Sequence, residues 1–125
     1  MGIEPFLLKS GLLGILSQRL LRRLCDCARP SENPEDHLGR NVERVRLPVG
    51  CDLCQGTGYR GRFLVAELLT TDEESIGAAI RERREAPYLQ QAAVAAGMIP
   101  NLTRACHAVD EGVTSPAEVR RVFGF

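Results

Sequence analysis

Cys51-Asp-Leu-Cys54-Gln-Gly56-Thr-Gly58 is the stretch on which the reading of this chain turns. Two cysteines separated by two residues present both sulfurs to one cation from a single tight turn. The glycines that follow let the backbone fold beneath the sulfurs at little steric cost. A second pair, Cys25 and Cys27, lies upstream, with residues 28–50 in between. Two close pairs joined by a loop of that length form the pattern of a four-sulfur zinc site. Closed tetrahedral sites of this kind are structural, and their metal contributes folding energy directly. The first pair has one intervening residue where two are common, which strains the turn, and His37 in the loop is the available substitute ligand. The bland alternative is a set of unmetallated thiols, some of them buried.

The rest of the composition sets bounds on function. With 125 residues the default is one domain, and a 44% apolar content permits a modest core. Lys plus Arg equals Asp plus Glu at 16 each, so there is no basic excess to support general nucleic-acid binding. The cysteine count is five, and no signal peptide is evident, which points to a reducing compartment where close cysteine pairs favour metal over disulfide. Residues 6–24 are apolar but interrupted by Lys9, Arg19, Arg22 and Arg23, leaving residues 10–18 as the longest uncharged run. A bilayer span needs about 20 apolar residues, so no membrane insertion is expected. Met1-Gly2 would suit myristoylation, but Phe6 stands where Ser or Thr is required, and no targeting segment is read.

Outward from the cysteines, residues 5–24 predict a helix, because Leu8, Leu12, Ile15 or Leu16, Leu20 and Leu24 recur at three- and four-residue steps. Leu7, Leu13 and Leu21 widen its apolar face, so it needs cover on more than one side. Residues 25–50 are irregular, broken by Pro30, Pro34, Gly39 and Pro48, with a short alternating strand at residues 42–47. Residues 62–69 are strand-like. Thr71 with Glu74 forms a capping-box pattern ahead of a helix to about residue 85. Pro87 opens a helix closed by Gly97, Asn101 caps one closed by Gly112, and Ser115-Pro116-Ala117-Glu118 opens a last helix.

Other residues carry weaker signals. Cys106 and His107 are neighbours on a helix, pointing about 100° apart, so they are poorly placed to share a metal. Cys106 reads as a small core residue and His107 as a surface or boundary residue. The mixed run of residues 81–85 reads as a solvated face. Arg60 and Arg62 beside the glycine-rich turn suit a phosphate or carboxylate, or a surface ion pair. No phosphate loop, dinucleotide fingerprint or nucleophile elbow is present, so no catalytic residue and no bound nucleotide are assigned to this chain.

Taken together, Met1-Gly-Ile-Glu-Pro-Phe-Leu-Leu, Gln18-Arg-Leu-Leu-Arg-Arg-Leu-Cys25, residues 51–62, Glu67-Leu-Leu69, Ala95-Ala-Gly97-Met98 and Glu111-Gly-Val-Thr-Ser-Pro-Ala-Glu-Val119 resemble the C-terminal region of the type II secretion and type IV pilus assembly ATPases. The resemblance implies hexameric cytoplasmic motors of RecA-like fold that bind ATP and Mg²⁺ and work beside the bacterial inner membrane with its assembly proteins. It maps their tetracysteine metal-binding subdomain onto Cys25, Cys27, Cys51 and Cys54, although the family's first pair is normally C-x-x-C and here it is Cys25-Asp-Cys27. The family's phosphate loop, acidic Mg²⁺ residues and catalytic Glu lie upstream of such a region, so no ATP hydrolysis is expected of this chain alone. It is expected to be a piece of a larger motor, occurring as a truncated product, an excised domain or a stand-alone remnant.

The expected fold class is α+β and mainly helical. Residues 1–24 are a terminal helix from the RecA-like core, residues 25–58 a small zinc-binding loop and β-hairpin subdomain, residues 59–70 a returning strand, and residues 71–125 a C-terminal helical subdomain. Two other readings compete. Residues 51–58 also fit the C-x-x-C-x-G-x-G repeat of J-domain co-chaperones, which use several repeats where this chain has one. Residues 88–123 with the cysteines suggest a zinc-dependent DNA-binding module, against which the zero net charge argues.

Overall fold

The computed structural model describes residues 2–71 and 74–125; Met1 of the N-terminal motif, and Asp72 and Glu73, lie outside the described residues. The chain is α+β, in the order α1 (Pro5–Gly11), β1 (Gly14–Leu24), β2 (Arg29–Ser31), a 3-10 turn (Pro34–His37), β3 (Val45–Leu47), β4 (Tyr59–Thr70), α2 (Glu74–Arg81), α3 (Ala86–Ala95), α4 (Asn101–Asp110) and α5 (Pro116–Phe123). β1 pairs with β4, and β2 pairs antiparallel with β3, with Pro30 opposite Arg46. Two compact units are formed: residues 2–17 with Ala66–Pro100, and Gln18–Val65 with Asn101–Phe125.

The long N-terminal helix expected over residues 5–24 is not formed. Helix α1 stops at Gly11 and the leucine-rich stretch continues as β1. The reason is arithmetic: a four-residue step is close to one turn of helix and is also two full repeats of a strand, so Leu16, Leu20 and Leu24 share a face in either conformation. Gly11 and Gly14, both poor helix residues, flank the point of change. Long-range pairing with β4 decides the outcome. The Thr71 amide donates to Leu13 O (3.2 Å) at one end of the ladder, and the Cys25 amide to Gly58 O (2.9 Å) at the other, so the strands run antiparallel. These two pairings differ by one residue in register. Gly61, inside β4 at φ +73°, supplies the left-handed residue that a bulge requires.

In the first unit, α2 buries Ile76, Gly77 and Ala79, and α3 buries Ala93. The Lys9 stem lies where a Cβ on Gly77 would stand, 2.7 Å from Lys9 Cε. The capping box read from Thr71 to Glu74 spans Asp72 and Glu73 and so lies partly outside the described residues; the Thr71 hydroxyl donates to Leu12 O. Helix α2 ends earlier than expected, at Arg81, with Arg83 at φ +54°. The surplus apolar surface expected near the N-terminus is present: Phe6 is 71% and Leu13 88% exposed.

In the second unit the core is built from Leu21, Val42, Val45, Val65, Ala105, Val109 and Val119. The strand read at residues 42–47 shortens to β3 because the Glu43 and Arg44 amides donate instead to Asp110 Oδ1 (2.6 and 3.1 Å) at the end of α4. Gly112, at φ +74°, ends α4. Half of the capping box at α5 forms as read, with the Glu118 amide donating to Ser115 Oγ (3.2 Å).

The Glu118 side chain does not complete the box. It is fully buried and accepts from Arg22 N (2.9 Å), Arg22 Nε (2.9 Å) and Nη2 (2.7 Å), and Arg121 Nε (2.9 Å) and Nη2 (2.6 Å). Arg22 also stacks over the Tyr59 ring, whose hydroxyl shares a 2.7 Å hydrogen bond with Ser115. Thr114 donates to Arg22 O (2.9 Å) and the Leu24 amide to Val113 O (2.8 Å), so β1 is tied to the α4–α5 connection along its edge. Burial alone would raise the Glu118 pKa, but the two guanidiniums and the Arg22 amide outweigh it and hold the carboxyl at about 2, below its ordinary 4.5.

A depressed folded-state pKa stabilises the fold above the unfolded value, and the contribution is lost as pH falls from about 4.5 towards 2. Replacing Glu118 with Gln leaves two guanidiniums facing a neutral amide, and urea titration should show a loss of about 3 kcal/mol at neutral pH. The difference between wild type and variant should shrink below pH 4.

Candidate metal centre

Strand β1 ends at Leu24 and delivers Cys25 and Cys27, while β4 begins at Tyr59, directly after Gly58 and the turn that carries Cys54. Because these strand ends are paired, the ladder brings the two cysteine pairs to the same place. The turn between Cys25 and Ala28 is closed by the Ala28 amide on Cys25 O (3.0 Å).

The second pair sits on a tight knuckle. The amides of Gln55, Gly56 and Thr57 donate to the carbonyls of Asp52 (3.2 Å), Cys51 (2.9 Å) and Cys54 (3.1 Å). Gly56 and Gly58 both adopt left-handed φ, at +79° and +80°. At Gly58 there is also no room, since a Cβ would stand 2.4 Å from Pro48 Cβ. Gly50, which the sequence reading did not single out, is needed for a related reason: its φ is +115° and a Cβ would lie 2.8 Å from Gly56 O. The cue was available, since Gly50 directly precedes the pair.

The four sulfurs of Cys25, Cys27, Cys51 and Cys54 lie within 4.8 Å of one another. Cys25 and Cys51 are 3.7 Å apart, Cys51 and Cys54 3.7 Å, and Cys27 and Cys54 3.9 Å. Four thiolates about 2.3 Å from a tetrahedral zinc would be about 3.8 Å from each other, and these three separations match that edge length. The single residue between Cys25 and Cys27 does not prevent convergence. His37 belongs to the 3-10 turn and is outside the cluster. Among the described residues these four cysteines are the group of His, Cys, Asp and Glu side chains that can hold a metal ion.

Backbone amides point at the sulfurs. Cys54 Sγ accepts from the amides of Cys51 (3.1 Å) and Gly58 (3.2 Å), and Cys27 Sγ from Gly50 (3.4 Å). Burial disfavours the Cys54 thiolate, yet these donors prevail and bring its pKa down to about 6. At Cys25 the balance reverses: the Cys27 amide favours the thiolate, but burial and hydrogen bonds shared with Cys51, Cys27 and Cys54 push the thiol up to about 11. Without a cation the cluster therefore mixes thiolate and thiol, sharing protons where a metal ion would place its charge.

The remaining sequence candidates fall outside this centre. Cys106 is half-buried against the core, and burial pushes its thiol up; His107 is exposed. Arg60 and Arg62 are exposed, as is the run at residues 81–85, where Arg84 and Glu82 form a 3.0 Å surface pair. The site-adjacent residues that sequence reasoning missed are Arg22 and Glu118, 96 positions apart in the chain; no local spacing signals a pair that distant.

Fold and centre together describe an α+β region built around a tetracysteine cluster. A family model described as "Type II/IV secretion system protein" matches residues 1–121. The chain is 34% identical over 95% of its length to the type IV pilus assembly ATPase PilB of Thermus thermophilus, of which it covers 14%. It is 38% identical over 98% of its length to the type II secretion system protein HxcR of Pseudomonas aeruginosa, covering 24% of that protein. It is 50% identical over 58% of its length to the type II secretion system protein E of Aeromonas hydrophila, covering 16%. The chain belongs to the type II/IV secretion system protein family, and spans a quarter or less of these relatives.

Replacing Gly58 with Ala combines a left-handed φ with contact against Pro48. It should lower stability by at least about 1 kcal/mol and weaken metal uptake, read by thermal unfolding with and without zinc.

Proposed function

We propose that this chain is a zinc-stabilised C-terminal region of a type II secretion or type IV pilus assembly motor ATPase, acting through protein contacts while other residues of a longer protein carry the nucleotide chemistry. The convergence of four sulfurs at tetrahedral spacing is the observation that supports it most directly. The family match supports the secretion reading over a co-chaperone repeat or a DNA-binding module. Cys25, Cys27, Cys51 and Cys54 would hold the metal. A closed four-thiolate site supplies no open position for catalysis, so its contribution is to folding.

In this reading ATP and Mg²⁺ belong to the whole motor and none of this chain's residues is catalytic. The partners are the rest of the ATPase, its other subunits in a hexamer, and inner-membrane assembly proteins, in the cytoplasm at the membrane surface. No helix among the described residues is long and apolar enough to cross a membrane. The apolar side chains left exposed in the first unit, Phe6 and Leu13 among them, accord with cover supplied by a larger protein.

Elemental analysis of the purified chain should find about one zinc per molecule, lost when Cys51 and Cys54 are replaced by Ser. Free zinc a thousandfold above Kd should stabilise the fold by about 4 kcal/mol. Uptake should release protons and weaken as pH falls, because the thiols still protonated, Cys25 among them, must shed their protons to bind. A metal-free protein whose Tm is unmoved by zinc or by a chelator contradicts the proposal.

A further inference from the structure

The cluster is asymmetric in a way that a purely structural site does not need. Cys25 and Cys54 are buried, at 2% and 5% exposure, whereas Cys27 and Cys51 are half-buried and reachable from solvent. Buried structural cysteines are inert to oxidants; exposed thiolates are the ones that react. The Cys51 sulfur lies 3.7 Å from those of both Cys25 and Cys54.

Of these neighbours, Cys54 is the one placed to react with Cys51. It lies three residues away in the same knuckle, so a bond between them needs no movement of one cysteine pair against the other. Its sulfur also receives the Cys51 and Gly58 amides (3.1 and 3.2 Å), which fix it beside Cys51. Cys51 and Cys54 are also a C-x-x-C pair, the spacing used in dithiol–disulfide exchange.

We propose that the tetracysteine centre is a peroxide-sensitive switch, in which oxidation of Cys51 and its capture by Cys54 ejects the metal and loosens the two cysteine-bearing turns, residues 25–28 and 50–58. This rests on the metal-binding reading above. In the first step the Cys51 thiolate attacks hydrogen peroxide, the O–O bond breaks, and Cys51 sulfenic acid and hydroxide form. In the second, the Cys54 thiolate attacks the Cys51 sulfur, the S–O bond breaks, the disulfide forms and a second hydroxide leaves. The two hydroxides take up two protons to give water; the two electrons lost by sulfur reduce the peroxide.

A disulfide sulfur is no longer an anionic ligand, so the ion keeps two of its four thiolates and escapes. The Cys25–Gly58 backbone bond, the β2–β3 ladder, the Arg46 guanidinium donating to Ala28 O (2.7 Å) and the Glu43 and Arg44 amides on Asp110 still hold the rest of residues 25–58. The core around Leu21 and Val109, which includes Val42 and Val45 of this segment, contains none of the four cysteines and stays.

The test treats the zinc-loaded chain with graded hydrogen peroxide. Free zinc is read with a chromophoric chelator, remaining thiols by alkylation and mass shift, and the disulfide by peptide mapping. Metal content is measured before peroxide is added, so a failure of the metal reading is seen separately. The expected result is one zinc freed for each two thiols lost, a Cys51–Cys54 disulfide in the map, and recovery on adding a dithiol with zinc. A Cys106→Ser variant should release zinc at an unchanged rate, since that thiol lies outside the cluster. Zinc retained while Cys106 is oxidised, or release with any other pairing, overturns the proposal. A chain that carries no metal at the outset fails the metal-binding reading, and the switch falls with it; a zinc-loaded chain that forms no Cys51–Cys54 bond at equimolar peroxide overturns the switch alone.

Discussion

The structure depends on one pairing, that of β1 with β4. It places Cys25 beside Gly58 through the 2.9 Å bond between Cys25 N and Gly58 O. Everything between those residues is an excursion whose two ends the ladder has already brought together. Closing so long a segment costs chain entropy, which the ladder helps to offset. The cysteine pairs need only complete a geometry that the strands have set, which is why one intervening residue in Cys25-Asp-Cys27 still lets both sulfurs join the cluster.

The second dependency is electrostatic. Leu24 and Arg22 are held from the side opposite β4 by the segment ahead of α5, and the anchor there is a fully buried carboxylate. Glu118 accepts five hydrogen bonds from Arg22 and Arg121, with both guanidiniums partly open to water, so it is buried at a modest desolvation cost to its partners. The strand that delivers the first cysteine pair is thus fixed on both sides. The cluster itself carries the opposite problem, several sulfurs competing for negative charge in one place. Backbone amides relieve it at Cys54, and protons retained at Cys25 relieve it elsewhere. A divalent cation would relieve it at all four sulfurs together.

Much of this was legible in the sequence, and the exceptions share a cause. The cysteine spacing and the trailing glycines marked the cluster because knuckle chemistry is local. Ser115 was readable as a cap, and Gly97 and Gly112 as helix ends, for the same reason. The leucine stretch was misread as a helix because four-residue steps satisfy both periodicities and only pairing with residues some fifty positions downstream decides between them. Glu118 looked like half of a capping box and is the partner of Arg22, a contact no local pattern encodes. Residues 42–44 alternate like a strand, yet Asp110 takes the amides of Glu43 and Arg44. Wherever the outcome depends on a partner distant in the chain, spacing alone is ambiguous.

The central claim is that the sulfurs of Cys25, Cys27, Cys51 and Cys54 bind one zinc ion in a closed tetrahedron. X-ray absorption at the zinc edge, on the chain purified without added chelator, tests it most directly. The expected spectrum fits four sulfur neighbours at about 2.3 Å with no light-atom ligand. A first shell containing nitrogen or oxygen at about 2.0–2.1 Å would bring in His37, a carboxylate or water, and would contradict the four-thiolate centre.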